Sequence, residues 1–137
     1  MTNEALFVER KDIPYIWHEV VPLIEKALVY SEGAMFVSDV LGLLLDGTEC
    51  LFIGKRDSKI YSALVGEIIC YPRKKTFRIV TWSTESGHDM EEWIHLLHVI
   101  EDYARSQFCD ELEAWTRKGL ARKLKWDNEY SVITKQL

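Results

Sequence analysis

The sequence predicts an α+β fold, with a mixed, mostly antiparallel sheet flanked by about four helices. Three extended runs, Glu49 to Gly54, Tyr61 to Tyr71 and Thr76 to Trp82, follow one another across short turn-forming segments, and connections of that length imply an antiparallel meander. A long amphipathic stretch then separates the third run from a further one around Leu112. A strand, helix and strand in that order demand a parallel, right-handed crossover, which makes the fourth and fifth strands parallel neighbours. Two helical patterns stand ahead of the meander.

The elements follow in order. Leu6 to Glu9 is a short first strand that stops at Arg10-Lys11-Asp12, and Asp12 followed by Pro14 marks a helix start. From Trp17 the residues Val20, Val21, Ile24, Ala27 and Leu28 recur at helical spacing, while Pro22 removes a backbone donor and predicts a kink or division. Ser38-Asp39 ahead of Val40, Leu41, Leu43, Leu44 and Leu45, with Asp46-Gly47 behind them, cap a second, short helix. The turns of the meander are Arg56-Asp57-Ser58-Lys59 and Pro72-Arg73-Lys74-Lys75.

Asp89-Met90-Glu91-Glu92 has the form of a capping box, the best-signalled boundary in the chain. Trp93, Leu96, Leu97, Ile100, Tyr103 and Ala104 then make one apolar stripe, leaving His95, His98, Glu101, Asp102 and Arg105 on the other side. Leu112, Ala114 and Thr116 alternate with Glu113 and Trp115 as a strand. Arg117 to Lys125 is a short basic helix with Leu120, Ala121 and Leu124 inward, and Tyr130, Val132 and Ile133 head a last strand.

A chain of 137 residues, 47% hydrophobic and 28% charged, suits one domain spanning 1–137 with a sizeable core. Seventeen Lys and Arg against 22 Asp and Glu give a net charge of −5, which disfavours nucleic acid as a partner. Cys50, Cys70 and Cys109 lie far apart without metal-ligand spacing, so they are expected to be buried, reduced thiols. No basic and apolar leader opens the chain, and no run reaches the roughly 18 apolar residues of a membrane span. The expectation is a soluble, non-secreted protein.

The order strand, two helices, three-strand meander, long helix, strand, short helix, strand resembles the GNAT acyltransferase fold over essentially the whole chain. Leu45-Asp46-Gly47-Thr48, Thr81-Trp82-Ser83-Thr84, Arg117-Lys118-Gly119-Leu120-Ala121-Arg122 and the tail Tyr130-Ser131-Val132-Ile133-Thr134-Lys135 are similar to short GNAT-like proteins encoded by bacteriophages. The resemblance implies that strands four and five splay, with the pantetheine arm of acetyl-CoA in the gap. Its pyrophosphate would rest at the start of the following helix, where unpaired N–H donors and the positive dipole end converge.

The family writes that loop Gln/Arg-x-x-Gly-x-Gly/Ala. Here it reads Ser83-Thr84-Glu85-Ser86-Gly87-His88-Asp89, with one glycine and with Glu85, Asp89, Glu91 and Glu92 close by. Each first-turn carboxylate favours the helix by about 0.3–1 kcal/mol but competes with a pyrophosphate for the same donors. The cofactor-binding residues that the resemblance implies are Ser83, Thr84, Ser86 and Gly87, together with Arg117, Lys118 and Arg122 on the basic helix. Lys123 and Lys125 stand beside them, and a solvated helix face explains the same charges.

Many family members place a tyrosine on the short helix to protonate the CoA thiolate. Leu124 and Lys125 occupy that stretch, and Tyr130 is expected to pack in the last strand. Glu85 and His88, near the carboxyl end of strand four, are the candidates for a general base. An acidic cap favours the positive form of a histidine, which works against His88 in that role, and loop polarity without catalysis accounts for both. No catalytic residue is assigned.

His95 and His98 stand at metal-sharing spacing but lack a third ligand, so no metal is expected. The tryptophans Trp17, Trp82, Trp93, Trp115 and Trp126 suit core packing, with Trp115 also placed to anchor a partner.

Three functions follow as expectations. The first is a non-catalytic structural or interaction component with an eroded acetyl-CoA site, its partners other proteins such as phage virion components, in the host cytoplasm or the particle. The alternative is an acetyl-CoA-dependent N-acetyltransferase with a divergent phosphate loop. Nucleic-acid binding through Arg117 to Lys125 is the third, and the acidic balance weighs against it.

Overall fold

The computed structural model describes residues 3–29, 33–87, 90–114, 125–127 and 133–137. Its strands are β1 (Asn3–Val8), β2 (Glu49–Arg56), β3 (Lys59–Cys70), β4 (Lys75–Thr84) and β5 (Glu111–Ala114), and its helices are α1 (Ile13–Leu28), α2 (Val37–Leu45) and α3 (Met90–Ser106). A 3-10 turn at Arg10–Asp12 leads into α1. The five strands form one sheet in chain order. The first three pairings are antiparallel, and β4 and β5 run parallel from Thr76 opposite Glu111 to Ile79 opposite Ala114. This is the mixed sheet that the spacing predicts.

Helix α1 buries Ile13, Val20, Leu23 and Ile24 and carries Pro14 in its first turn. The division expected at Pro22 does not occur, and the helix is continuous from Ile13 to Leu28. The carbonyl that loses its donor belongs to His18, on the exposed side of the helix, while the buried side holds both halves to the sheet. Helix α2 begins two residues earlier than Ser38-Asp39 implies. Asp39, inside the helix, accepts from the Phe36 N–H at 2.8 Å, so its carboxylate serves the start from the third position.

Asp57 and Ser58, with φ of 49° and 72°, make the two-residue β2–β3 turn, whose left-handed backbone matches the twist of the strands. The β3–β4 ladder shifts register at Val65 and Gly66, which pair with Thr81 and Ile79 and leave Val80 as an extra residue. A Cβ on Gly66 would lie 2.1 Å from Phe77 Cζ, so only glycine lets that ring close on the sheet.

Helices α1 and α2 cover one face, where Val20, Leu23, Ile24, Val40 and Leu44 pack with Leu51, Ile53, Ala63 and Val65. On the other face α3 sets Leu96, Ile100 and Ala104 against Phe52, Leu64, Phe77 and Ile79. Tyr103 meets the rings of Phe7, Phe52 and Phe77 at centroid distances of 5.2, 5.3 and 5.9 Å. The apolar stripe of α3 is therefore the one read from the sequence.

Other expectations change. Cys50 and Cys109 are half-buried, but Cys70 is exposed, because β3 ends there at the turn. Burial pushes the Cys50 thiol up to about 12. Trp17 and Trp126 pack partly buried against the two cores, and Trp82 lies 5.2 Å from Trp93. Trp115, residues 117–124 of the expected basic helix, and Tyr130 and Val132 fall outside the described residues. Ile133, expected in a last strand, is exposed within residues 133–137, which form no regular element. Among the described residues there are three α-helices, none long and apolar enough to cross a membrane.

Candidate functional site

The carboxyl end of β4 and the start of α3 hold the described loop residues named from the sequence. The bulge at Val80 precedes them. Ile79 packs in the α3 layer and Val80 against the α1–α2 layer. Thr81, opposite Val65, follows on the same side as Val80, and Trp82 returns to α3. Both Thr81 Oγ1 and Trp82 Nε1 are buried without a hydrogen-bond partner. Bulges of this kind re-aim side chains beside active sites, and orphaned buried polar atoms call for an explanation.

Ser83 is 7% exposed and lies opposite Ala63 on the α1–α2 face. Its carbonyl accepts from Ser62 Oγ at 3.2 Å, and that hydroxyl also meets Thr84 Oγ1 at 2.8 Å. Lys26 Nζ, from the last turn of α1, donates to the Thr84 carbonyl at 3.2 Å. The Glu85 N–H donates to Tyr61 O at 2.8 Å, continuing the pairing with β3. The Glu85 carboxylate lies 3.4 Å from Lys59 Nζ and is thus drawn toward β3, across β4 from β5. Ser86 and Gly87 form an exposed turn, and Gly87 has φ of +90°, which glycine adopts without strain.

The first turn of α3 carries Glu91 and Glu92. Glu91 is exposed. Glu92, with its side chain 5% exposed, is turned toward the sheet, where Arg56 Nη2 at the end of β2 donates to its Oε1. A cavity of about 250 Å³ beside them is lined by Asn3, Arg56, Glu91, Glu92 and His95. His95 and His98 are both exposed. Among the described residues no three His, Cys, Asp or Glu side chains converge for a metal ion.

The structure thus separates the predicted loop set. Ser83 is buried, Thr84 is engaged by Ser62, and Ser86 and Gly87 alone stand open. His88, Asp89, Arg117, Lys118 and Arg122 lie outside the described residues. Sequence reading missed Lys26, Arg56, Lys59 and Ser62, whose roles arise only when distant strands and helices meet. The two arginine and lysine positions flank a turn, and nothing local marks them for the site.

Acetyl-CoA, the cofactor that the fold implies, needs positive charge or free donors for its pyrophosphate. The described residues do not fit it. Arg56 and Lys59 already face Glu92 and Glu85, Lys26 is turned to the Thr84 carbonyl, and Glu91 adds an exposed negative charge at the helix start.

No protein-family model matches the chain. No curated protein matches its sequence. Solved structures do match its fold. An aminoglycoside acetyltransferase from an uncultured soil metagenomic sample, in complex with sisomicin, is 15% identical with a TM-score of 0.74, over 98% of this chain and 95% of that one. The ribosomal-protein-alanine N-acetyltransferase of Brucella melitensis is 12% identical with a TM-score of 0.74, over 99% and 100%. A GNAT family acetyltransferase of Staphylococcus aureus is 14% identical with a TM-score of 0.71, over the whole of both chains. The chain has the fold of the GNAT acetyltransferases.

Proposed function

We propose that this GNAT-fold chain serves as a non-catalytic interaction or structural component. One observation carries the reading: Arg56 and Lys59, beside the end of β4 and the start of α3, already face carboxylates, while Glu91 leaves the helix start acidic. An anionic cofactor would have to displace those pairs or share donors with them. The only candidate base among the described loop residues, Glu85, is held toward β3 by Lys59. The short segments similar to phage-encoded proteins suggest a virion component as the setting, with other proteins as partners.

Titration of acetyl-CoA and CoA by calorimetry tests the reading directly. No heat of binding and no thermal shift at millimolar ligand are expected. Saturable binding at lower concentration would overturn it.

A second reading, an acetyl-CoA-dependent N-acetyltransferase, is favoured by the full-length likeness to structures described as acetyltransferases. The partnerless Thr81 Oγ1 and Trp82 Nε1 at the β4 bulge also suit a bound molecule. Under that reading, binding in the titration is accompanied by release of free CoA thiol when a panel of amines is supplied.

A further inference from the structure

Glu49 opens β2 immediately after the α2–β2 turn and is 5% exposed. Its direct cross-strand neighbour on β3 is Glu67. Side chains opposed in this way sit with Cβ atoms roughly 4.5–5.5 Å apart, close enough for two carboxyl groups to meet. Glu49 Oε1 has no hydrogen-bond partner. A buried carboxylate without a cation or donor is too costly to persist ionised.

The surroundings are negative. From the α2–β2 turn Asp46 also acts on Glu49. Asp46 accepts from the Thr48 N–H at 2.8 Å, and that bond, with Arg10 nearby, holds it below the usual carboxylate range and hence charged. On β4, Arg78 faces Glu67 in the register, but its Nε donates to Glu113 at 2.9 Å and its Nη2 to the Tyr71 hydroxyl at 3.1 Å. On its own strand Glu49 is followed by the half-buried Cys50, whose thiol remains protonated. Among the described residues no third ligand completes a metal site with Glu49 and Glu67.

We propose that Glu49 carries a proton beside Glu67 across β2 and β3, and that its release is a pH-sensitive switch on the junction between α2 and β2. Burial first, and then the charges of Glu67 and Asp46, push Glu49 up to about 7. Loss of the proton places two negative charges side by side in a weakly hydrated position. Glu49 is then driven outward, and the Asp46-Gly47-Thr48 turn, which carries the connection to α2, loosens with it.

The folded chain holds this proton more tightly than the unfolded chain does. The contribution is therefore complete below the ordinary glutamate value and is lost as pH rises toward and through about 7. Carbon-detected NMR of the intact protein should show the Glu49 carboxyl titrating near neutrality, with Glu67→Gln moving its midpoint down. A midpoint in the ordinary glutamate range, or one that Glu67→Gln leaves in place, overturns the proposal.

Glu49→Gln fixes the protonated form. Between pH 5 and pH 8 the folding equilibrium constant of the unaltered protein should fall roughly 50- to 100-fold relative to that variant. Hydrogen exchange at Thr48 to Cys50, corrected for intrinsic rates, should accelerate over the same range only in the unaltered chain. Parallel stability curves for the two proteins overturn the switch.

Discussion

Arg56, the last residue of β2, donates to the carboxylate of Glu92 in the first turn of α3. The pair ties the entry of the helix to the sheet. Glu92 is almost wholly buried while Arg56 is one-third exposed, so losing the arginine takes a counter-charge from a buried carboxylate, whereas losing the acid leaves the arginine able to reach water. Arg56→Ala should therefore cost about 2–3 kcal/mol in urea denaturation, with Glu92→Leu in the same chain recovering part of it, because an apolar replacement removes the buried charge. Strict additivity of the two changes would show that the contact carries no coupling.

Legibility tracked the range of each interaction. The apolar stripe of α3 and the parallel β4–β5 pairing were readable because they depend on helical spacing or on the length of a connection. Pro22 does not divide the helix because its local penalty falls on the exposed side, while Val20, Leu23 and Ile24 anchor the helix beneath it. The site was the least legible part. Lys26 reaches the carbonyl of a residue 58 positions away, and Arg56 reaches one 36 positions away. No periodicity or motif records such pairings.

Gly66 sits at the β3–β4 register shift beneath the fully buried Phe77. A methyl group there would overlap the ring, which has packed neighbours on every side. Gly66→Ala should lower stability by about 1–3 kcal/mol, and Phe77→Leu added to it should cost less than it does alone. Measured melting temperatures that move independently would contradict this packing relation.

Phe108 closes α3 with φ of 63° and is 84% exposed. Its N–H donates to Arg105 O at 3.0 Å and that of Cys109 to Ala104 O at 2.9 Å, the paired bonds with which a left-handed residue terminates a helix. Glycine adopts this conformation without the steric cost that a side chain carries, about 1 kcal/mol or more. Phe108→Gly should thus stabilise the fold by about 1 kcal/mol in thermal denaturation, despite removing a large residue. A loss of stability would mean that the ring packs in solution.

Glu91 presents its carboxylate at the amino end of α3, exposed and in the first turn. There it interacts favourably with the helix dipole and opposes any anion approaching the same end. The two effects have opposite signs under one substitution. Glu91→Gln should lower stability by about 0.3–1 kcal/mol and, by the same increment, strengthen binding of inorganic pyrophosphate roughly two- to fivefold. Both changes should shrink at high salt, since the group is exposed. Calorimetric titration of pyrophosphate at low and high ionic strength reads the second effect, and equal affinity for the two proteins at low salt would remove Glu91 as the reason the helix start resists anions.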